Sequence, residues 1–317
     1  MLKRVLIPMW LIMVAESAMA SIQSTPLRTY PTSPYQANSL ATQLRSASAP
    51  QSTEIFANAS MTSVWAHSAE FELDYYQNHA MTGAQWRINS RFSAELKYQY
   101  SWAANNHLDT ITIKFHDFFG LGQNGRLEAG KHQFSIESQE YDVSVNDFEG
   151  EVMVNALHGY LQYQVYEQGP HILSVGGSLY YNDVDDSPFE TSSFEQGLQV
   201  NYTYLSGNNS FFSTAGITHR EEDDLLGGMP VKNNSVALGL GYGRRFARNH
   251  EFLIEYHGFE GILNDDSVFS TASHEIVVGY RYYMQNLLIE FTSTENIINM
   301  DNSTDIAFGV GLRYFFR

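Results

Sequence analysis

The sequence predicts an all-β protein, an antiparallel transmembrane β-barrel of about 14 strands with 12 as the alternative count. Three observations predict it. The last stretch, Thr304 to Arg317, places Ile306, Phe308, Val310, Leu312, Tyr314 and Phe316 on one side and Ala307, Gly309, Gly311 and Arg313 on the other. Such a strand offers an apolar face to lipid, a small or charged face to a lumen, and aromatic residues to the membrane interface. The same period of two recurs upstream, and past the N-terminus no stretch reaches the run of ~18 apolar residues that a spanning helix needs. Finally, short turns near Gly169, Gly207, Asn249 and Asn286 alternate with longer loops at 182–190, 220–234, 262–273 and 297–304. Outer-membrane barrels have this asymmetry, whereas a Greek-key sandwich has no reason to alternate.

The chain opens with Lys3 and Arg4, an apolar run from Val5 to Ala15, and Ala18-Met19-Ala20. This reads as a cleavable secretory signal over 1–20, too short to span a bilayer as a helix. Cleavage would remove Lys3, Arg4 and Glu16, leaving the remainder one charge more acidic than the −17 of the full chain. Cysteine is absent, so stability must come from packing or from a closed sheet. Residues 21–51, with Pro26, Pro31, Pro34 and Pro50 and no clear period, read as an extended periplasmic segment or a plug-like strap, a flexible linker being the simpler option. The barrel then occupies 52–317. Tyr and Phe number 20 each, glycine 23 and charged residues only 17%, a mixture that fits a sheet meeting lipid with alternate residues. The acidic balance argues against nucleic acid as a partner.

Taken in order, Thr53 to Ala66 is the least regular strand. Phe71, Leu73 and Tyr75 form one short face, Ala84, Trp86 and Ile88 another, and Ala94, Leu96, Tyr98, Tyr100 and Trp102 the face of the following strand. Ile111, Ile113 and Phe115 alternate, yet Leu108, Ile111, Phe115 and Phe118 also fit helical spacing. Counting 71–76 as an extension and 110–115 as a strand gives 14, and so does the reverse choice. Leu127, Ala129 and Phe134 precede a long acidic segment, 137–151. Beyond it the rhythm is clearer. Val152, Val154, Ala156, His158 and Tyr160 lead into Tyr163 and Val165, followed by Leu173 to Tyr181, Phe194 to Tyr204, Phe211 to Ile217, Val236 to Tyr242, Phe252 to Tyr256, Ile276 to Tyr282, Leu287 to Phe291 and the terminal strand.

From Pro26 to about Phe134 the sequence resembles a proteobacterial envelope family known only as domain of unknown function 3187. The likeness rests on Pro26-Leu27-Arg28, Leu73-Asp74, Trp86-Arg87, Leu108-Asp109, Phe115-His116-Asp117, Phe119-Gly120-Leu121 and Gly125-Arg126. The resemblance implies an outer-membrane barrel and brings no established activity, ligand or catalytic residue. Barrels commonly finish on an aromatic residue, whereas here Arg317 follows Phe316.

Under this phasing Arg87, Lys97, Arg244, Glu255, Arg281, Glu290 and Arg313 face the lumen, where they line an aqueous path or pair to fill it. Asp109, His116 and Asp117 form the densest polar cluster of the family-like region; a lumenal or periplasmic site is one reading, and hydrogen bonds pinning a short helix or turn to the wall the simpler one. The 11 histidines show no H-x-x-x-H or H-E-x-x-H spacing, so no metal and no cofactor is expected. The loop from Asp183 to Ser187 lacks the glycine and distal glutamate of an EF-hand, and the acidic loops around Asp183, Glu221 and Asp265 read as solvated surface. Strand glycines precede no helix, so they cradle no phosphate and serve close packing instead. Nothing selects a catalytic triad, and no enzyme is expected. The expected surroundings are outer-membrane lipid and lipopolysaccharide, with Tyr314 and Phe316 as the terminal signal for the barrel assembly machinery. The chain is expected to be a monomer with a structural or passive small-solute role; a surface receptor or adhesin working through the acidic loops is the alternative, and a lipid-modifying enzyme the least favoured.

Overall fold

The computed structural model describes residues 22–68, 70–108, 133–298, 302 and 304–316. The expected secretory signal and the Asp109, His116 and Asp117 cluster, with the strand or helix expected at 110–115, lie outside the described residues.

Alternating side chains and glycine-containing turns produce long hairpins, and the hairpins close. In chain order the strands are β1 (Glu54–His67), β2 (Phe71–Arg87), β3 (Phe92–Ala103), β4 (Ser135–Ser138), β5 (Val143–Asn146), β6 (Val152–Gln168), β7 (His171–Val184), β8 (Thr191–Ser206) and β9 (Asn209–Arg220). They continue with β10 (Asp224–Leu225), β11 (Met229–Pro230), β12 (Asn234–Ala247), β13 (His250–Phe259), β14 (Ser273–Met284), β15 (Leu287–Ile298) and β16 (Thr304–Phe315). Neighbours pair antiparallel in the order β1, β16, β15, β14, β13, β12, β9, β8, β7, β6, β3, β2, and β2 pairs again with β1. The result is a closed barrel of 12 strands, the arrangement that lets a sheet pair its backbone groups inside hydrocarbon.

Twelve, the alternative count, therefore replaces 14. The two segments expected at 71–76 and 84–88 are one strand, because β2 pairs with β1 without a break from Gln85↔Glu54 to Glu72↔His67. Lumen-facing Gln77 and His79 interrupt the apolar rhythm there without interrupting the ladder. The acidic segment after Phe134 is not merely a spacer. It holds the hairpin β4–β5, which lies outside the barrel proper and extends the sheet at the far end of β2 through Phe71↔Ser138 and Asp74↔Ser135.

Tight turns join the strands at one rim, with Gly169 (φ 57°) and Gly207 (φ 59°) supplying the left-handed conformation that two-residue hairpins demand. The longer connections gather at the other rim. There β4–β5, β10–β11 and the loops carrying Phe189, Ile262 and Phe269 pack into an apolar cap with Phe71, Leu73, Tyr75 and Met153 from the strands. Tyr141 of the cap donates to Asp265 Oδ2 at 2.7 Å; desolvation first, then that bond and that charge, raise its phenol pKa above the ordinary range.

The outer face carries the lipid-facing residues, among them Leu157, Leu179, Leu198, Ile217, Leu240, Ile254, Phe291 and Leu312, all exposed. Near the short-turn rim, His171 Nδ1 meets Tyr202 Oη at 2.7 Å and His250 Nδ1 meets Tyr280 Oη at 2.6 Å, polar tips on an aromatic belt. Leu198, halfway along β8 and 68% exposed, is a stringent probe of this face. Leu198→Arg is expected to destabilise the folded protein in lipid vesicles by about 2–4 kcal/mol, read from the shift of its urea midpoint. An unchanged midpoint would mean this face does not meet hydrocarbon.

Phasing differs from expectation on β6. Val154, Ala156, His158 and Tyr160 point inward, while Leu157 and Leu161 point out. An apolar inner stripe has a cause: it packs against Leu40, in a cluster with Tyr180. Residues 22–51 are thus no trailing linker; they lie inside the barrel.

Candidate functional site

The interior is organised by this N-terminal strap. Its first leg climbs from Ile22, whose carbonyl accepts from Arg245 Nη2 near the short-turn rim at 2.9 Å, to Tyr35 under the apolar cap. Tyr35 meets Phe269 edge-on, with ring centroids 5.2 Å apart. A single 3₁₀ turn, Gln36–Asn38, reverses the chain. The second leg descends to Ala49, whose carbonyl accepts from Arg87 Nη2 at 3.2 Å. The prolines that made this stretch look irregular suit it to a path where it joins no ladder.

Wall glutamates hold the strap by its backbone. Leu27 N–H donates to Glu255 Oε1 at 2.7 Å, Arg28 N–H to Glu290 Oε1 at 2.9 Å, Thr32 and Ser33 N–H to Glu275 Oε1 at 2.8 and 3.0 Å, and Leu40 N–H to Glu195 Oε2 at 3.0 Å. Charged acceptors make these roughly twice as strong as neutral amide bonds. Arg281, fully buried on β14, works in the opposite sense: its Nη2 donates to the Pro26 carbonyl at 2.6 Å and its Nη1 to that of Thr25, while its Nε meets Glu290 Oε2 at 2.6 Å.

Two strap arginines complete the network. Arg28 reaches Glu54 Oε1 and Glu95 Oε2, each at 2.7 Å, donates to Gln85 at 3.0 Å and lies 3.8 Å over the Phe56 ring. Arg45 meets the second oxygen of Glu95 at 2.9 Å and covers Tyr160, again at 3.8 Å. Arg313 forks onto both oxygens of Glu54 at 2.9 and 2.8 Å. Lys97 donates to Gln43 of the strap and lies 5.2 Å above the Tyr30 ring. Where Thr42 and Leu44 of the strap meet the wall, the wall is glycine. A Cβ on Gly241 would fall 2.8 Å from Leu44 Cδ2, and one on Gly216 2.6 Å from Thr42 Oγ1.

Of the seven charges assigned to the lumen, Lys97, Glu255, Arg281, Glu290 and Arg313 are buried on the inner face, and Arg87 is at its short-turn rim. Arg244 is a correction. It shares the outer face with Tyr242 and Phe246, and its neighbour Arg245 is the residue that turns inward, over the Tyr283 ring. Tyr314 and Phe316 project outward, with ring centroids 5.1 Å apart. The sequence reading missed Arg28, Arg45, Glu54, Glu95, Glu195 and Glu275. Arg28 lies in the Pro26-Leu27-Arg28 motif, and each of these glutamates stands on its strand's inner-face parity, which is the signal that was available. Among the described residues no group of His, Asp and Glu is arranged to hold a metal ion.

A 12-stranded closed barrel with lipid-facing aromatics and a polar, charged interior defines an outer-membrane, porin-like barrel. The chain belongs to the family described as protein of unknown function, DUF3187, which matches residues 2–316 and so extends the resemblance seen near the N-terminus to essentially the whole chain. An outer-membrane channel from Pseudomonas putida F1 has the same fold, with a TM-score of 0.52 and 13% identity over 84% of this chain and 96% of that one. The NanC porin aligns over 83% of this chain and 100% of its own at 8% identity and a TM-score of 0.48. The KdgM porin does so over 83% and 99% at 9% and 0.44. No curated protein matches the sequence.

Proposed function

We propose that the protein is a passive outer-membrane pore for small polar solutes, held shut by its own N-terminal strap. The observation that carries this reading is the chemistry of the strap-to-wall contact. The wall around the strap is built largely of groups that water can satisfy, including Gln77, Ser101, Gln162, Asn201 and Thr203, and the strap is held by carboxylates and guanidiniums. A lumen meant only to be stuffed is filled as well by apolar side chains, often more stably than by buried ion pairs. A hydrated path needs the polar lining that remains once the strap shifts. A space of about 470 Å³, lined by Thr25, Arg28, Arg45, Glu95, Lys97 and Arg313, already enters the interior beside the short-turn residues Gln285 and Asn286.

In this reading the short-turn rim faces the periplasm, residues 1–20 direct export, and the acidic loops face outward. The chain works as a monomer in lipid and lipopolysaccharide, is inserted by the barrel assembly machinery and performs no catalysis. The test is single-channel recording in planar bilayers. The intact mature chain is expected to stay closed or to open in brief steps, and a variant lacking 22–51 to conduct steadily, with its heat-modifiable migration showing that the barrel has folded. No conductance from a folded strapless barrel at any voltage would end the proposal.

A further inference from the structure

We propose that the space between the strap's turn and the long-loop cap is a binding site for a small amphipathic cation. The space measures about 490 Å³, a volume typical of small-molecule sites. Its lining includes the apolar side chains of Tyr35, Tyr75, Ile136, Met153, Phe189 and Ile262. It also includes four carboxylates, Glu190, Glu195, Glu222 and Asp224, against one guanidinium, Arg220.

That single positive charge is already committed. Arg220 Nη1 donates to the Lys232 carbonyl at 2.8 Å, its Nη2 to Ser235 Oγ at 3.4 Å, and its Nε lies 3.6 Å from Glu195 Oε2. The remaining carboxylates leave the site negative, and the apolar walls keep water from screening it fully. An anion is repelled, a neutral ring gains only the apolar wall, and a wholly polar cation gains only the charge. A flat or compact apolar body carrying one ammonium group gains both. Tyr35, Asn38 and Ser39 belong to the strap's turn and also line this space, so an occupant touches the strap directly. The proposal concerns binding alone and does not depend on conduction.

Three probes of one shape and different charge test it: tryptamine, indole and indole-3-acetate. Each is titrated into the intact mature protein in zwitterionic detergent and followed by calorimetry, with empty micelles as the blank. Tryptamine is expected to bind saturably and at least about tenfold more tightly than indole-3-acetate, the preference shrinking as salt rises. The triple variant Glu190→Gln, Glu222→Gln, Asp224→Asn changes residues at the mouth of the space and is expected to fold. It should lose most of the preference for tryptamine while indole binding stays constant. Glu195→Gln should weaken tryptamine in the same direction if it folds, and the triple variant decides the matter if it does not. Absence of saturable tryptamine binding, equal affinity for the anion, or an unchanged preference in the triple variant overturns the proposal.

Discussion

Arg281→Ala is expected to lower the stability of the folded barrel by about 3–5 kcal/mol, the range for removing one partner of a buried charge network. The reason is what remains behind. Arg281 has no exposed surface and joins Glu290, Glu251 and the carbonyls of Thr25 and Pro26. Without it two glutamates face each other across the β13–β14–β15 wall; Tyr283, which donates to Glu251, and Arg313, 3.9 Å from Glu290, compensate only in part. Arg281→Lys should rescue little, because a single ammonium cannot reproduce a planar fork aimed at several acceptors. Arg87→Ala, at the exposed rim, should stay within about 0.5 kcal/mol of the parent. Urea midpoints in lipid vesicles measure all three, and an Arg281→Ala midpoint equal to that of Arg87→Ala would show that the network contributes no stability.

A second large effect is expected from filling the groove in which the strap's descending leg lies. Gly239 and Gly241 on β12 leave room for Leu44, and a Cβ at Gly239 would meet Leu44 Cβ at 3.2 Å. Valine at both positions suits a strand and keeps the ladder, so the conflict falls on the strap. Overpacking of this kind costs about 1–3 kcal/mol, comparable to the few hydrogen bonds that hold this leg. The expected result is a barrel that still migrates as folded, trypsin cleavage after Arg45 at least about tenfold faster than in the parent, and openings that resemble those of the strapless form. A double variant whose strap resists trypsin as well as the parent does would show that the glycines do not set how tightly the strap lies.

The barrel itself was legible because its signal is local. Tyr314 and Phe316 declare their phase to a reader of that strand alone, and the short turns announce themselves through Gly169 and Gly207. The strap was not legible, because its partners are dispersed: Glu54, Glu95, Glu195, Glu255, Glu275 and Glu290 stand on six different strands, and only closure brings them round one segment. Presence of the strap also explains two of the misreadings. Apolar residues at Val154 and Ala156 suggest lipid, yet they serve Leu40; the polar residues at the centre of β2 suggest a break, yet Gln77 donates to Asn38 Oδ1 at 2.8 Å. Arg244 failed for a simpler reason, since a charge beside a turn can project outward at the membrane surface as readily as inward.

The seam where β1 meets β16 has a further consequence. Phe316 N–H donates to the Thr53 carbonyl at 2.9 Å, and on the inner side Arg313 ties Glu54 of β1 to Thr25 Oγ1, the latter at 2.9 Å. The tucked-in segment is thereby riveted across the join, so parting the seam sideways means breaking this inner link as well as the outer ladder.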